Sequence, residues 1–538
     1  MRPISRRTAL SSAAVLGSAA LLSSCGGGGS SETQDKIENP DENINAEGLP
    51  IVNEKVTIRF LSGRPPTTAE NWDNVSCVKK MEEMTNVHID FGLVPLDGVG
   101  EKRNLAMASG DYPEVLYRTS VGGGDIAKYG EQGVFIPMND LIDQYMPNLK
   151  GVMEEIPDVR KAMTFPDGNM YSLPQIYTAK GMLLMIKGWV RKDWLDTFDM
   201  DVPSTLDEYE AYLEAVVSKN PSGKGKEIGI GVNGVGDIIG CLAGTFGICN
   251  RGSDNKTFDV DPADESKIRF IPTSDGYREL LTYLNRLYSK GLIQEDVFAT
   301  EAGKVNALGS DGLIGSTFTQ TPEGFYGKEG ENYVAFEPLK KESSDEVPYW
   351  AAVRPNSVAL GQFVMTDKNE HPIETMRWAD QWFGPEGSAM FFMGVEGVSY
   401  HEVDGRYELM PEVTEGKTID EALKPHALYM GGRYPGLATD EVFRGVETTP
   451  QAIEGAEVVE PYMIEDVWSS FTFTAEESQV TSSIGADISK HISESQAAFI
   501  TGDLPLDQWD TYVSKFEQMG LAEYVEVNQA AMDRRRAI

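Results

Sequence analysis

Hydrophobic positions in the first third of the chain alternate between short strand-like runs and longer segments with helical spacing. The strand-like runs are Val56–Leu61, Val87–Val94 and Glu114–Tyr117, and the helical patterns are Trp72–Thr85, Val99–Ser109 and Asp125–Glu131. Strands and helices that alternate at this spacing predict an α/β fold with a mainly parallel sheet. In such sheets ligands bind beyond the carboxyl ends of the strands.

A further apolar run, Gly181–Trp189, separates a turn at Asp167–Asn169 from the charged residues Arg191–Asp193. The run is too short to span a membrane and is predicted to be a buried strand. Pro174 cannot donate to a strand ladder, so it marks a strand edge just before the run. We expect the chain to leave one lobe here and to enter a second lobe. Clefts between lobes are where small ligands bind.

The later part of the chain predicts a return to the first lobe and a second departure from it. Its helical patterns are Thr205–Ser218, Ser274–Lys290, His371–Phe383, Ser478–Phe499 and Leu506–Met519, and the return crossing is Val347–Phe363. We assign 51–185 and 348–384 to an N-terminal lobe, and 186–347 and 385–538 to a C-terminal lobe. The basic end, Asp533–Arg536, is expected to be a solvated helix end.

The amino terminus has the layout of a secretion signal. Basic residues precede the short apolar segment Thr8–Leu22, which indicates a signal peptide over 1–24. The sequence Leu22–Cys25 resembles a lipobox, which implies a diacylglycerol and an acyl chain such as palmitate on Cys25. An ordinary signal peptide with a chance cysteine is the alternative. The segment Ser5–Leu10 also resembles a twin-arginine signal, so export by that route or by the general secretory route stays open.

The segment 25–50 is predicted to be a flexible tether. It begins with GGGGSS and continues as a polar, acidic run, which cannot bury enough apolar surface to fold. A lipid anchor followed by a tether places the folded part on the extracellular face of the cell membrane.

The formal net charge of −37 argues against nucleic acid and against an anionic membrane surface as electrostatic partners. We therefore expect membrane contact through the lipid anchor only, and a monomer.

No CxxC is present among Cys77, Cys241 and Cys249. A Cys241–Cys249 disulfide and two buried thiols both remain open. The scattered histidines lack metal-ligand spacing.

Two glycine-rich stretches lie at predicted strand ends. Gly229–Gly234 satisfies GxGxxG, and Asp254 lies twenty residues further on, but the position in mid-chain after a secretion signal favours a plain strand-to-loop turn. Arg118–Asp125 allows close backbone approach to a ligand, although no Lys-Ser/Thr follows to complete a phosphate cradle. The sequence contains no GxSxG, no HExxH and no supported Cys–His pair, so no catalytic residue is predicted.

Several blocks taken together resemble a known family. They are Met107–Val115, Gly133–Leu141, Asp167–Pro174, Trp189–Leu195, Phe383–Tyr400 and Phe499–Tyr512. Their order after a lipobox resembles extracellular solute-binding protein family 1, the carbohydrate-uptake lipoproteins of ABC importers. The resemblance implies a two-lobe periplasmic-binding-protein-like type II fold with a hinge between discontinuous lobes. It also implies a non-enzymatic receptor for an oligosaccharide or related carbohydrate, with permease subunits as partners.

Two other functions stay open on the residues alone. One is a secreted polysaccharide-degrading enzyme, a glycosidase or a lyase, and the other is a surface sensor that hands its ligand to a signalling partner.

A sugar site needs aromatic platforms and planar polar side chains, because sugars have flat apolar faces ringed by hydroxyls. The candidates on the loops that the resemblance places at the cleft are Arg64, Trp72, Arg118, Gln175, Tyr177, Trp350, Arg354, Glu396 and Tyr400. Arg64, Arg118 and Arg354 together would suit a uronate through bidentate carboxylate pairs.

Four acidic residues form a candidate calcium loop, Asp199, Asp201, Asp207 and Glu208. Calcium requires several carboxylate or carbonyl oxygens around a loop, and these positions resemble the calcium loop of alginate-binding relatives. The alternative is that Asp207 and Glu208 simply favour the dipole of the helix that they begin. No other cofactor is predicted.

Overall fold

The computed structural model describes residues 36–37, 39–403, 406–429, 431 and 433–538. The predicted signal peptide and Cys25 lie outside the described residues. The strands are β1 (Val56–Arg64), β2 (Val87–Asp90), β3 (Leu93–Pro95), β4 (Val115–Tyr117), β5 (Gln175–Tyr177), β6 (Lys187–Arg191), β7 (Ile228–Ile230), β8 (Phe258–Asp261), β9 (Asp264–Phe270), β10 (Ile314–Thr319), β11 (Tyr333–Ala335), β12 (Ser357–Ala359), β13 (Phe363–Met365), β14 (Tyr400–Val403), β15 (Arg406–Leu409) and β16 (Gly436–Ala438).

Helices cover the sheets and join their strands. They are α1 (Ser76–Thr85), α2 (Leu96–Ser109), α3 (Gly123–Glu131), α4 (Asn139–Tyr145), α5 (Pro147–Glu155), α6 (Pro157–Met163), α7 (Lys180–Leu183), α8 (Lys192–Phe198), α9 (Leu206–Lys219), α10 (Val235–Leu242), α11 (Asp275–Ser289), α12 (Ala302–Ser310), α13 (Pro322–Tyr326), α14 (Pro372–Asp380), α15 (Pro385–Met393), α16 (Pro411–Thr414), α17 (Ile419–Leu423), α18 (Pro450–Val459), α19 (Ala475–Thr501), α20 (Trp509–Gln518) and α21 (Leu521–Ala537).

The first lobe is built on a mainly parallel sheet, as the alternation of patterns predicted. Its strand order is β13–β4–β1–β2, and β3 also pairs with β1. Strands β2, β3 and β4 run parallel to β1, and β13 runs antiparallel to β4. The long central strand β1 carries its carboxyl end to Arg64, so the loops that follow β1 and β4 leave the same edge of the sheet.

The second lobe has its own mixed sheet, with the order β11–β6–β10–β7. The predicted strand Gly181–Trp189 is wrong in its first half, because the chain forms the short helix α7 before strand β6 begins at Lys187. An apolar run reports burial and does not by itself distinguish a strand from a buried helix. Gly181 is needed in this helix, because a Cβ there would lie 2.1 Å from the carbonyl oxygen of Glu447.

Three segments that join the lobes form a small sheet of their own, with the order β12–β5–β16. Strand β12 runs antiparallel to β5, and β16 runs parallel to it. The amide of Tyr177 donates to the carbonyl of Asn356 (2.8 Å), and the amide of Thr178 donates to that of Ala438 (2.9 Å). These bonds make the crossings one hinge sheet rather than independent linkers.

The two main hydrophobic cores show which segments pack with each lobe. The first core contains Met182 and resumes at Phe363, and the second begins with Leu184 and includes Val353. The segment from Ala389 to Phe443 packs in the first core, whereas the sequence assigned everything after 385 to the C-terminal lobe. The aromatic rings of α15 explain this result, because Phe391 and Phe392 contact Tyr434 and the rest of the first core. We propose that the first lobe extends through about residue 443.

The predicted tether is shorter than 25–50, because its last residues are bonded to the first lobe. The amide of Asn45 donates to the carbonyl of Ile51 (2.9 Å), and the Arg377 guanidinium donates to the carbonyls of Asn45 and Gly48. Composition alone could not reveal these contacts, since Arg377 lies more than 300 residues further along the chain.

The basic carboxyl terminus is not a solvated end. Arg535 of α21 is 8% exposed and donates to the carboxylate of Asp158 at the start of α6, which also accepts from Ser469 (3.2 Å). Val159 and Met163 of α6 belong to the first core, and Met532 of α21 belongs to the second core. The ion pair therefore joins the two lobes.

Replacement of Arg535 by methionine should destabilise the protein, because it leaves the Asp158 carboxylate half-buried and without its cation. We expect Arg535→Met to lower the free energy of unfolding by about 2–3 kcal/mol in urea denaturation. Arg536→Met, on the exposed side of the same helix, is the matched control and should change it by less than about 0.5 kcal/mol. Equal effects of the two substitutions would contradict a buried interlobe ion pair.

The three described cysteines are free thiols, which answers the question that the sequence left open for Cys241 and Cys249. All three are buried, and burial raises the pKa of Cys77 and of Cys249 to about 12. The pKa of Cys241 is raised for the same reason. Such thiols are inert toward electrophiles, because the thiolate is the reactive form.

A thiol count on the Cys25→Ser variant tests this assignment. We expect the native protein to react negligibly with a disulfide reagent such as Ellman's reagent over minutes, and the unfolded protein to release the equivalent of three thiols. A count of one thiol after unfolding would mean that two of the cysteines are paired.

Candidate functional site

A cavity of about 420 Å³ lies between the lobes, beside the hinge sheet. The first lobe contributes the glycine-rich loop after β4, the ring of Phe165 and strand β12. The second lobe contributes Ser469–Phe473 and the first turns of α19. The lobes touch at the rim, where the Thr472 hydroxyl donates to the carbonyl of Thr164 (2.7 Å). The volume is in the range of small-molecule sites.

A second cavity, of about 280 Å³, lies at the start of α10 on the second lobe. Its lining is Met185, Ile186, Gly236, Asp237, Gly240, Ser253, Asp254, Lys256, Ala352 and Arg354. Arg354 is held at the crossing, because its backbone amide donates to the carbonyl of Leu183 (2.9 Å). The Lys256 ammonium donates to the carbonyl of Gly236 (3.0 Å) and so remains beside the first turn of the helix.

The two cavities lie close to each other. Arg433 lines the first cavity, and its charge acts on Tyr177 of the hinge sheet and on Asp254 of the second cavity. The Tyr177 hydroxyl accepts from the Gln175 amide (2.8 Å), so this phenol is held in place. The two cavities are referred to together as the cleft, with the glycine-rich loop and Arg433 at the first cavity and Arg354 at the second.

Burial raises the pKa of each carboxyl group in this region. For Asp237 the opposing charge is Lys256, and for Asp254 the opposing charges are Arg354, Lys256 and Arg433. Asp254 keeps solvent contact at the mouth of the cleft, although many protein atoms surround it. Burial also raises the pKa of Glu447, against the charges of Lys187 and Arg354. Carboxylates paired with cations in this way can accept hydroxyl protons while the cations donate.

Some of the sequence-predicted ligand residues line or border this cleft. Arg354 lines it, and the backbone of the loop that follows Arg118 forms part of its wall. Gln175 and Tyr177 of the hinge sheet are only 2% and 7% exposed and line neither cavity. The sequence predicted these residues individually, and their role in binding stays a prediction.

The side chain of Arg118 is not available to a ligand. It is 1% exposed and donates to the backbone carbonyls of Arg433 (3.0 Å), Leu428 (3.1 Å) and Gly431 (2.6 Å). Its guanidinium also stacks over the ring of Trp72, and burial lowers its pKa. Arg118 thus positions the chain that carries Arg433 into the cleft, and does not itself contact the cleft.

The two tryptophans predicted as sugar platforms are core residues instead. Trp72 is fully buried against Phe91 and Tyr117 in the first lobe, and Trp350 is fully buried in the second. Large aromatic rings contribute most to packing when buried, and the sequence cannot tell a buried indole from an exposed one.

The remaining three candidates lie apart from the cavities. Tyr400 is buried and packs edge-on against Tyr407 of the hairpin β14–β15, and Glu396 is exposed just before that hairpin. Arg64 ends β1, is half-exposed and lines neither cavity. None of these three residues lines either cavity, so the structure gives them no contact with the cleft.

Sequence reasoning missed Asp237, Lys256 and Arg433, and it did not assign a role to Asp254. The only available signal was the Gly229–Gly234 turn, which leads into α10 and so places Asp237 at a strand end. The charges of Arg354 and Arg433 act on Asp254 only because the fold brings these distant segments near one another.

The role of the four acidic residues of the candidate calcium loop as calcium ligands stays a prediction, and two of them have other uses in the structure. Glu208 accepts from the Ser204 amide and hydroxyl (both 2.9 Å), which lowers its pKa, and the Asp207 side chain is 85% exposed. Within the ranges that the structure describes, no three acidic, histidine or cysteine side chains form a metal-binding group. The helix-dipole alternative fits Asp207 and Glu208, which lie in the first turn of α9 beside the capping residue Thr205.

No helix in the described part of the chain is both long and apolar enough to cross a membrane.

Comparisons with known proteins place this architecture in a family. Residues 65–313 match the model of the bacterial extracellular solute-binding protein family. The fructooligosaccharide ABC transporter substrate-binding protein FusA of Streptococcus pneumoniae serotype 4 is 28% identical over 518 residues, which cover 93% of this chain and 94% of FusA. Lipoprotein LipO of Bacillus subtilis strain 168 is 26% identical and covers 65% of this chain and 68% of LipO.

A solved structure agrees with the sequence relatives. The S. pneumoniae FusA EF-hand mutant in complex with fructo-nystose superposes with a TM-score of 0.70 at 25% identity, over 90% of this chain and all of that one. The expected two-lobe fold of periplasmic-binding type, with a hinge between discontinuous lobes, is thereby confirmed. The chain thus resembles the bacterial extracellular solute-binding protein family over residues 65–313, and it resembles FusA over 93% of its length.

Proposed function

We propose that this protein is the extracellular receptor of an ABC importer, and that it binds an oligosaccharide in the cleft between its lobes. The carrying observation is the cleft itself, which has one wall on each lobe and is lined by hydroxyl groups and by paired carboxylates and cations. The match to a fructooligosaccharide-binding relative over nearly the whole chain supports the same ligand class.

Ligand binding is coupled to lobe closure in this proposal. Arg433 approaches the ligand from the first lobe, and Asp254 and Arg354 approach it from the other side. A ligand that bridges both walls favours the closed arrangement by its greater affinity for that arrangement. The closed monomer then presents both lobes to the permease subunits, which are the partners of the receptor.

The alternative of a secreted polysaccharide-degrading enzyme is not supported, because the relatives that span the chain are substrate-binding proteins. Calcium is also outside the proposal. One solved relative is an EF-hand mutant of FusA, whereas the Asp199–Glu208 loop of this chain uses its Glu208 carboxylate internally.

Anchoring through Cys25 is the second part of the proposal, and it is supported by the lipobox-like Leu22–Cys25 and by the relative named as a lipoprotein. We expect wild-type protein to fractionate with membranes and Cys25→Ser protein to appear in the soluble extracytoplasmic fraction, because one diacylglycerol with a further acyl chain gives stable anchoring. Metabolic labelling with an alkyne fatty acid checks the modification directly. Membrane retention of unlabelled Cys25→Ser protein would contradict the assignment.

Binding itself can be tested with one cleft variant and one control. A thermal-shift screen of oligosaccharides should identify a ligand that raises the melting temperature without release of new reducing or unsaturated ends. Arg354→Gln should weaken binding of that ligand about 10- to 100-fold by calorimetry, because hydrogen bonds to charged groups are worth about 1.5–3 kcal/mol. Glu396→Gln should bind as the wild type does. Turnover of any saccharide would show that the enzyme alternative is correct.

A further inference from the structure

The charged side chains of the cleft are arranged in mutually compensating sets. Asp237, Asp254, Lys256 and Arg354 all line the small cavity, and the charge of Arg433 also acts on Asp254. The two carboxylates and the two cations that line this cavity therefore give it almost no net charge.

The charged residues next to this cavity also include both carboxylates and cations. Glu447 interacts with Arg354 and with Lys187, a lysine that is fully buried at the start of β6. The remaining nearby cation, Arg118, is occupied by backbone carbonyls. Arg118 thus has carbonyl partners, and Lys256 and Arg354 line the small cavity together with two carboxylates.

We infer that this cleft selects neutral oligosaccharides and discriminates against saccharides that carry uronate groups, an inference that rests on the proposed oligosaccharide-binding function. Arg64, Arg118 and Arg354 suggested a uronate from the sequence, but only Arg354 lines a cavity, and it does so together with Asp237 and Asp254.

The physical reason is that a hydroxyl group and a carboxylate group of a ligand differ in their hydrogen-bonding capacity and charge. A sugar hydroxyl can donate to Asp254 and accept from Arg354 without disturbing their interaction, because it is both a donor and an acceptor. A carboxylate can only accept, and it would have to share Arg354 with a carboxylate already present, which adds like-charge repulsion. The discrimination between neutral saccharides and uronates thus comes from the acidic side chains of the cleft, and not from an absence of cations there.

The charge of the whole chain acts in the same direction. A net charge of −37 repels a polyuronate at long range and does not act on a neutral sugar. This contribution is screened at physiological salt, where the Debye length is about 8 Å, whereas the contribution of Asp237 and Asp254 inside the cleft is screened much less. Measurements at different salt concentrations can therefore separate the long-range repulsion by the whole chain from the repulsion by the two cleft carboxylates.

The test is calorimetry on the full folded chain with two panels of trimers to pentamers at 0.15 M salt. The neutral panel holds fructo-, galacto-, gluco- and xylo-oligosaccharides, and the acidic panel holds oligogalacturonates and oligomannuronates, with the carboxyl-reduced form of each acidic oligomer as its matched neutral partner. We expect a neutral ligand to bind, and every uronate to bind at least 10-fold more weakly than that ligand. A uronate that binds as tightly as the best neutral sugar would overturn the inference and leave the receptor function standing. If no member of either panel binds, the receptor function itself fails.

Variants locate the discrimination. Asp254→Asn should reduce the ratio of neutral to uronate affinity about 10-fold, because it leaves Arg354 and Arg433 without that carboxylate. Glu412→Gln removes an equal charge from an exposed position on α16 and is the matched control, with no change in the ratio. Asp237→Asn provides a second variant should Asp254→Asn lower the melting temperature. An unchanged ratio in both cleft variants would overturn the inference.

Discussion

The hydrogen-bonded ladder that ties β5, β12 and β16 together is the constraint on which the rest of the molecule depends. The chain passes between the lobes at three places far apart in sequence, and independent linkers would leave the lobes free to twist. Pairing the crossings restricts their relative motion to bending about one small sheet. It also holds the segment that carries Arg354 beside the cleft, because Arg354 lies three residues before strand β12.

The cations of this acidic protein are divided between two uses. Arg118 is dehydrated in the first lobe, where backbone carbonyls replace its water and shape the chain leading to Arg433. Arg535 is buried between the lobes, where it neutralises Asp158. Removing the two charges of this ion pair from water costs free energy, and the pair lies at a point where the two hydrophobic cores meet. Arg354 and Arg433 remain beside open space with carboxylates nearby, which is the arrangement that recognises hydroxyl groups.

Secondary structure was predicted well wherever a local pattern decides it. Helix α11 begins and ends within one residue of its prediction and is capped by Ser274, and α19 was found but begins earlier, because Thr474 rather than Ser478 or Thr481 forms its capping box. The sequence assigned 385–443 to the C-terminal lobe, because Phe391 and Tyr434 are apolar and would suit the core of either lobe. Only their contacts show which core they fill.

By itself the sequence determined the alternation of strands and helices, the crossing near Pro174 and the family blocks, because periodicity and turn chemistry act over a few residues. Only the tertiary structure decided which polar side chains face the cleft. From the amino-acid sequence alone Trp72 and Arg118 resemble sugar-binding residues, but in the structure both are enclosed by atoms from distant segments. Asp237, Asp254 and Arg433 look ordinary, yet they share one space, since the environment of a charged group is set by neighbours that the chain brings together only on folding.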